Sequence, residues 1–237
     1  LTSRKTERTM KGLPSMQETT GKKGCFIAFE GIDGSGKSTQ IHLLKKRLER
    51  EGIKCYSTCE PTDSPIGSLI HQIMTGRVLS DNKVVAALFV ADRLDHLLNP
   101  TNGIYEKIMD GISVISDRYY FSSYAYHSVD MPMEWVISAN SQSAEILRPS
   151  VTVFIDVNPD DALRRIAKTR FQPELFETRE RLVSVREKYF EAFEKLKDVE
   201  NILIVDGEKE ENLLGAEIWE KLKAYFIPQG GEGYVKF

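Results

Sequence analysis

The chain has 237 residues, of which 41% are apolar and 28% charged, and this suits one α/β domain with a full core. No apolar run approaches the roughly 20 residues of a membrane-spanning helix, so we expect a cytoplasmic protein with no membrane partner. Residues 1–24 carry six basic and two acidic side chains, whereas the rest of the chain carries 26 basic and 33 acidic ones, which argues against nucleic acid as a partner.

The ends of the chain differ in composition from its middle. Residues 1–24 are rich in Ser, Thr and Lys without a periodic apolar face, and we interpret them as a disordered extension or the remnant of an expression tag. We expect a single domain over residues 25–228 and a flexible tail at 229–237.

Short apolar runs alternate with amphipathic stretches from residue 24 onward, the pattern of βαβ units. We predict five strands, at 25–30, 54–59, 113–117, 151–156 and 202–206. They form an α/β fold: a five-stranded parallel sheet, buried on both faces, with helices on both sides in three layers. Ligands of such sheets bind beyond the carboxyl ends of the strands, so four terminal carboxylates are expected around one crevice. These are Glu30, Asp117, Asp156 and Asp206.

The intervening stretches predict helices with recognisable ends. Ser64 and Pro65 have the residue types of a helix cap and first helical position. The predicted helices are 38–51, one starting at 64–65, 81–98, 104–110, 120–128, 132–147, 159–168, 178–196 and 211–226.

A glycine-rich loop follows the first strand and matches the pattern G-x-x-x-x-G-K-S/T. Its glycines permit close backbone approach, so that successive N–H groups and the next helix N-terminus surround phosphate oxygens. The residues predicted to bind ATP are Gly31, Ile32, Asp33, Gly34, Ser35, Gly36, Lys37, Ser38 and Thr39.

Lys37 is expected to contact the β- and γ-phosphates, and Ser38 to offer its hydroxyl to Mg²⁺. Asp117, at the end of a neighbouring strand, is our candidate to complete the metal shell through water. The motif therefore indicates a P-loop NTPase fold that binds ATP with Mg²⁺.

The rest of the chain narrows the class of enzyme. No N-K-x-D guanine-recognition sequence is present, and 237 residues leave little room for the appended domains of most ATPase machines. Phosphorylation of a small acceptor is the class favoured by the short βα spacing.

Four segments resemble the thymidylate kinases in order and spacing. They are the P-loop with Glu30 before it, Glu60-Pro61-Thr62-Asp63, residues 88–93 with Phe89 and Arg93, and residues 117–126 with Asp117, Arg118, Ser122, Ser123 and Tyr126. The resemblance runs from about residue 25 to 226 and is nearest to the archaeal-type members with Glu-Pro-Thr. It implies a nucleoside-monophosphate kinase that transfers the γ-phosphate of ATP to dTMP, for dTDP and dTTP biosynthesis.

The same resemblance implies a role for each matching residue. Phe89 would lie against the thymine ring, Arg93 would reach O4 and Ser123 would sit near N3. An arginine donor aimed at O4 favours thymine or uracil over cytosine. The residues implied to bind dTMP are Asp33, Glu60, Pro61, Phe89, Arg93, Arg118, Ser122, Ser123 and Tyr126.

Three of these residues would handle the sugar and the phosphate. Tyr126 would close on the deoxyribose and disfavour a 2′-hydroxyl, and Asp33 would meet the 3′-hydroxyl. Arg118 would grip the acceptor phosphate with its planar fork. Each also has a plain structural interpretation, as a core aromatic or a surface ion pair.

The P-loop has no basic residue between its framing glycines, so a mobile lid near residues 168–178 is expected to supply positive charge. Arg170 is the first choice for the transition-state arginine, followed by Arg165 and Arg179. The catalytic set is thus Lys37, Arg118, Arg170 and Asp33, although the lid arginines also fit a basic helix face.

Two residues depart from the family pattern. Cys59 stands where bacterial relatives commonly have Arg, and His127 stands where many have Gln. A histidine near the base would make activity depend on pH near 6–7, but a lone histidine is also common as a partner on a helix surface.

Several alternatives remain open from the sequence. A deoxynucleoside kinase shares the P-loop and the strand-end arginine, and a non-catalytic nucleotide-binding module would share the fold. The use of dUMP is undecided. The resemblance also suggests a homodimer, with helical faces such as 84–88 as contacts.

Overall fold

The computed structural model describes residues 23–169 and 178–227. Most of the predicted extension, most of the predicted lid with Arg170, and the predicted tail lie outside the described residues. The elements in the described part are β1 (Phe26–Glu30), α1 (Lys37–Arg50), β2 (Cys55–Cys59), α2 (Pro65–Met74), α3 (Asn82–Leu98), α4 (Ile104–Met109), β3 (Ser113–Asp117), α5 (Tyr120–His127), α6 (Met133–Ala139), α7 (Ser141–Ile146), β4 (Val151–Asp156), α8 (Pro159–Thr169), α9 (Arg179–Leu196), β5 (Ile202–Asp206) and α10 (Glu211–Phe226).

All five predicted strands are confirmed, and they pair in parallel in the order β2-β3-β1-β4-β5. Every residue of the central strand β1 is buried, so both faces of the sheet are covered by helices. The edge strands β2 and β5 are only partly buried, unlike the prediction, because the helix layers extend less far over the edges. Ile204 of β5, for example, is 47% exposed.

One predicted helix is wrong in its extent. Residues 132–147 form two short helices, α6 and α7, which meet at Asn140. The Asn140 side chain donates to the Val136 carbonyl at 2.8 Å and so competes with the backbone for that acceptor. Asn140 is fully buried and also accepts a hydrogen bond from Arg93, which fixes the break.

Side-chain caps fix the starts of two helices near the site, and the first of them is the cap predicted from the sequence. Ser64 caps α2 by accepting from the Gly67 N–H at 3.1 Å, and Asp81 caps α3 by accepting from the Lys83 N–H. The parallel register places Phe29 of β1 beside Asp117 of β3. The P-loop and the segment after β3 therefore start side by side.

None of the helices in the described ranges has the combination of length and apolar character that crossing a membrane requires.

Candidate active site

The P-loop connects β1 to α1 in a conformation that depends on its glycines. Gly34 and Gly36 have φ values of 77° and 98°, in the left-handed region that side chains disfavour. A Cβ at Gly34 would lie 2.5 Å from the Ala162 carbonyl oxygen of α8. Gly36, the residue before α1, has no side chain to cap the helix. The first N–H groups of α1 therefore face the loop and are suited to bind an anion.

The Lys37 ammonium is held over this loop. Its Nζ donates to the carbonyl oxygens of Gly31 and Ile32, each at 3.1 Å, and the side chain is buried. Burial, and then the positive charge of Arg118, lower the pKa of Lys37 to about 8. Three carboxylates act in the opposite direction but do not restore the ordinary value.

This pKa predicts a pH dependence. We expect kcat/KM for ATP to fall as the pH rises through about 8, because the free enzyme then loses the Lys37 charge that attracts phosphate. The sign follows from the lowered pKa: the charged form is complete only below it. A pH profile of kcat/KM for ATP from 6 to 10 tests this, and Lys37→Arg, whose charge persists throughout, should give a flat profile. A wild-type profile that stays flat to pH 9.5 would contradict it.

Ser38 and Asp117 lie together, as predicted for a metal shell. Ser38 Oγ donates to Asp117 Oδ2 at 2.8 Å across the mouth of the P-loop. Both side chains supply oxygen, the donor that Mg²⁺ prefers. The described residues contain no group of three or more His, Cys, Asp or Glu able to hold a metal ion. The pair thus fits a magnesium ion bound mainly by substrate phosphates and water.

Arg118, Asp33 and Tyr126 form a connected cluster beside the P-loop. Arg118 Nη2 donates to Asp33 Oδ1 at 2.6 Å, and Tyr126 donates its hydroxyl to Asp33 Oδ2 at 2.8 Å. Arg118 Nη1 also donates to Ser122 Oγ at 3.0 Å. Burial raises the pKa of the Tyr126 hydroxyl well above its usual range, so it stays a donor.

The backbone of Arg118, whose side chain belongs to this cluster, has a strained conformation. Its φ of 74° is the only positive value at a non-glycine residue within the described ranges. Such a conformation costs on the order of 1 kcal/mol or more and is concentrated at functional sites. Neighbouring contacts hold it: the Arg118 N–H donates to the Phe29 carbonyl and its own carbonyl accepts from Ser116.

A cavity of about 160 Å³ opens next to the cluster. Seven of the nine residues implied to bind dTMP line it, together with three that were not in that set. The lining is Asp33, Pro61, Phe89, Arg118, Ser122, Ser123 and Tyr126, with His71, Met74 and His127. His71 and Met74 lie on α2 and belong to none of the sequence motifs, so nothing in the sequence indicated that they would line the cavity.

The remaining two implied residues, Glu60 and Arg93, lie beneath the cavity rather than in its lining. Arg93 is 1% exposed and bonds to Glu60 Oε2 at 2.8 Å and to Ser123 Oγ at 3.1 Å. It also donates to the Tyr119 carbonyl and to Asn140 Oδ1. Burial alone would lower the pKa of Arg93, but the Glu60 carboxylate outweighs it and the pKa is raised. Arg93 is thus a buried cation that holds Ser123 in place.

His127 lines the cavity beside Phe89, which fits the interpretation of a histidine near the base and not that of a partner on the helix surface. It is buried, with its ring centroid 5.2 Å from that of Phe89, and so is no helix-surface residue. Burial, followed by repulsion from Arg93 and Arg181, lowers the pKa of His127 to about 3. The ring is neutral throughout pH 6–7, so the pH dependence expected there is wrong.

The four strand-end carboxylates do not share one crevice. Glu30 is buried in the core, where it accepts from Ser122 and from the Tyr189 hydroxyl, and burial raises the pKa of Glu30. Asp156 and Asp206 line a second cavity of about 360 Å³. Asp117 and Asp206 lie apart because their strands, β3 and β5, are three strand spacings apart in the sheet. At about 4.8 Å per spacing this is roughly 14 Å.

Two basic residues next to the lid segment contact different parts of the structure. Arg165 of α8 reaches the P-loop, where it donates to the Ser35 carbonyl at 3.3 Å and to the Gly207 carbonyl at 2.8 Å. Arg179 pairs with Asp160 at 2.6 Å on the exposed surface. Arg170 lies outside the described residues.

The side chains of the remaining predicted ATP-binding residues differ in exposure. Ile32 is buried in the core, and Thr39 is exposed on α1. Ser35 is buried, and its Oγ has no hydrogen-bond partner in the described part of the chain.

Comparison with known proteins agrees with this geometry. The model of the family described as "Thymidylate kinase" matches residues 29–218. The chain is 38% identical to a "Probable thymidylate kinase" of Methanocaldococcus jannaschii over 184 residues, or 78% of this chain and 87% of that protein. It is 34% identical to one of Methanosphaera stadtmanae over 84% of this chain and 98% of that protein. A third relative, of Methanothermobacter thermautotrophicus, is 35% identical over 87% of this chain and 98% of that protein.

Proposed function

Because the chain belongs to the thymidylate kinase family, we propose that it is a dTMP kinase, which transfers the γ-phosphoryl group of ATP to dTMP and yields dTDP and ADP. One observation carries the proposal: the P-loop adjoins a cavity lined by an aromatic ring, hydroxyls and an Arg–Asp pair. The two substrates can then lie with their phosphates facing each other between Lys37 and Arg118.

In this proposal the protein acts by positioning and by charge, since phosphoryl transfer needs no covalent intermediate. Phe89 supplies an apolar face to the base, and Tyr126 packs against the sugar and disfavours a 2′-hydroxyl. Asp33 accepts from the 3′-hydroxyl. Arg118 binds the acceptor phosphate, for which its Nε–H has no competing acceptor in the described residues.

Mg²⁺ is proposed to accompany ATP, held by the Ser38 hydroxyl and, through water, by Asp117. When bound it neutralises phosphate charge. Lys37 adds a fixed positive charge over the loop, and a lid arginine adds another. Arg170 remains the proposed transition-state arginine, and the contact of Arg165 with the P-loop makes it the second candidate.

We also propose a cytoplasmic location, and a role in dTTP biosynthesis as the consequence of the proposed reaction. The proposed homodimer would use α3, on which Val84 is 50% exposed.

Release of ADP, coupled to a reporter enzyme, tests the proposal with ATP, Mg²⁺ and a panel of acceptors. We expect turnover with dTMP at least tenfold above dCMP and CMP in kcat/KM, and dUMP in the panel defines the role of the 5-methyl group. Turnover with thymidine alone would instead identify a deoxynucleoside kinase. Tight nucleotide binding without ADP release would identify a binding module.

A further inference from the structure

Glu30 ends β1, directly before the P-loop, and its carboxylate is fully buried. Among the described residues it accepts hydrogen bonds from four neutral donors. Its Oε1 accepts from the backbone N–H groups of Tyr119 and Ser122, at 2.8 and 3.2 Å, and its Oε2 accepts from the hydroxyls of Ser122 and Tyr189. Burial raises the pKa of Glu30, while these hydrogen bonds and the nearby charge of Arg118 favour the ionised form.

The first of these oxygens caps helix α5. Tyr119, the residue before the helix, makes no capping hydrogen bond with its own side chain. A helix leaves the first N–H groups of its N-terminus without partners, and Glu30 accepts from two of them although it lies 89 residues before Tyr119 in the chain. Its negative charge also suits the positive end of the helix dipole. Glu30 therefore fixes the start of the helix that carries Ser122, Ser123 and Tyr126 of the cavity.

The second oxygen orients the Ser122 hydroxyl. Ser122 Oγ donates its proton to Glu30 Oε2 and accepts a hydrogen bond from Arg118 Nη1 at 3.0 Å. Because a hydroxyl has one proton, a carboxylate that takes this proton leaves the lone pairs of Ser122 for Arg118. The same guanidinium donates through Nη2 to Asp33 at 2.6 Å. A chain of hydrogen bonds thus runs from Glu30 through Ser122 and Arg118 to Asp33 of the P-loop.

We propose that Glu30 is a positioning residue for the acceptor phosphate: it holds the first turn of α5 and the Ser122 hydroxyl so that Arg118 presents its guanidinium to that phosphate in a fixed orientation. Glu30 is 0% exposed and acts through these neighbours. The inference rests on the proposed function and deepens it. A carboxylate that served only the core would change the thermal stability of the protein and leave KM for dTMP unchanged.

Glu30→Gln tests the inference, because an amide has nearly the same shape but only one acceptor oxygen. If that oxygen caps α5, the amide NH₂ donates to Ser122 Oγ, and the Ser122 proton then takes the place of a lone pair that Arg118 uses. We expect KM for dTMP to rise roughly tenfold, the effect of one lost hydrogen bond to a charged group, with kcat and KM for ATP changed less than about threefold. An unchanged KM for dTMP in a folded Glu30→Gln enzyme would overturn the inference.

Glu200→Gln is the matched control. Glu200 is also a buried carboxylate next to α5: both of its oxygens lie 2.8 Å from the hydroxyl of Tyr120, and it pairs with Arg148 at 3.0 Å. These partners lie outside the chain of bonds to Asp33. We expect Glu200→Gln to lower the Tm but to keep KM for dTMP within about twofold of wild type. A tenfold rise in KM here as well would show that any lost carboxylate around α5 has this effect, and would overturn the inference.

Ser122→Ala is a second variant, which does not depend on the folding of Glu30→Gln. It removes the hydroxyl between Glu30 and Arg118, so KM for dTMP should again rise roughly tenfold. An unchanged KM would refute the inference. In the double variant the two effects should not add, because both changes break the same link, and Glu30→Gln should raise KM by less than about twofold further. Full additivity would show that Glu30 acts independently of Ser122, against the proposal.

The two levels of failure are distinguishable. Absence of dTMP turnover in the wild type defeats the proposed function itself. Normal turnover in the wild type, together with an unchanged KM for dTMP in Glu30→Gln, defeats only the inference about Glu30.

Discussion

Replacement of Lys37 by Met is expected to lower kcat by about 10³-fold, or roughly 4 kcal/mol of transition-state stabilisation. Met fills a similar volume but removes the ammonium that the Gly31 and Ile32 carbonyls hold over the P-loop. The fold should not suffer, because burial already disfavours the charged form of Lys37. Steady-state kinetics with ATP and dTMP measure the loss, and thermal unfolding checks the fold.

Lys46→Met is the matched control, since Lys46 lies on the same helix α1 but is exposed. It should keep kcat within about twofold of wild type, as a surface change does. If Lys37→Met retained more than a tenth of the wild-type kcat, the charge over the loop would not be the stabilising group, and the phosphate site would have to lie elsewhere.

Replacement of Arg118 by Ala is expected to lower kcat/KM for dTMP by about 10² to 10³-fold. Arg118 links the Asp33 carboxylate to the proposed acceptor phosphate. The pair is partly buried, so truncating one member should cost toward the lower part of the roughly 2–5 kcal/mol found for buried charged pairs. Asp33 would keep only its bond from Tyr126 among the contacts of this cluster. The loss of kcat/KM should be much larger for dTMP than for ATP. Measurement of kcat/KM for both substrates tests this.

Arg118→Lys retains the charge but loses the planar guanidinium group, which bonds to Asp33 and Ser122 at the same time. It should therefore keep more activity than Arg118→Ala but less than wild type. Arg50→Ala, at the exposed end of α1, controls for loss of an arginine. Equal losses in kcat/KM for ATP and dTMP would contradict a role on the acceptor side.

The sheet was predictable because its signals are local. Each strand is a short apolar run, and the five predicted strands are present with starts shifted by at most one residue. The P-loop was predictable for the same reason, since its glycine spacing and the flanking strand and helix lie within a few residues. The Ser38–Asp117 contact followed from the register of two parallel strands.

The wall of the cavity was less predictable, because long-range partners decide which side chains face it. The position of Arg93 depends on Glu60 and Asn140, which lie 33 and 47 residues away in the chain. The same buried Asn140 divides the predicted helix at 132–147. The neutral state of His127 depends on burial and on charges from α3 and α9, which no local pattern around residue 127 encodes.

Transfer of labelled phosphate tests the central claim most directly. The full chain is mixed with γ-³²P-labelled ATP, Mg²⁺ and dTMP, and the products are separated by chromatography. The proposed function predicts label in dTDP, dependent on dTMP and absent with Lys37→Met. Label recovered only in inorganic phosphate, or in no product at all, would contradict it.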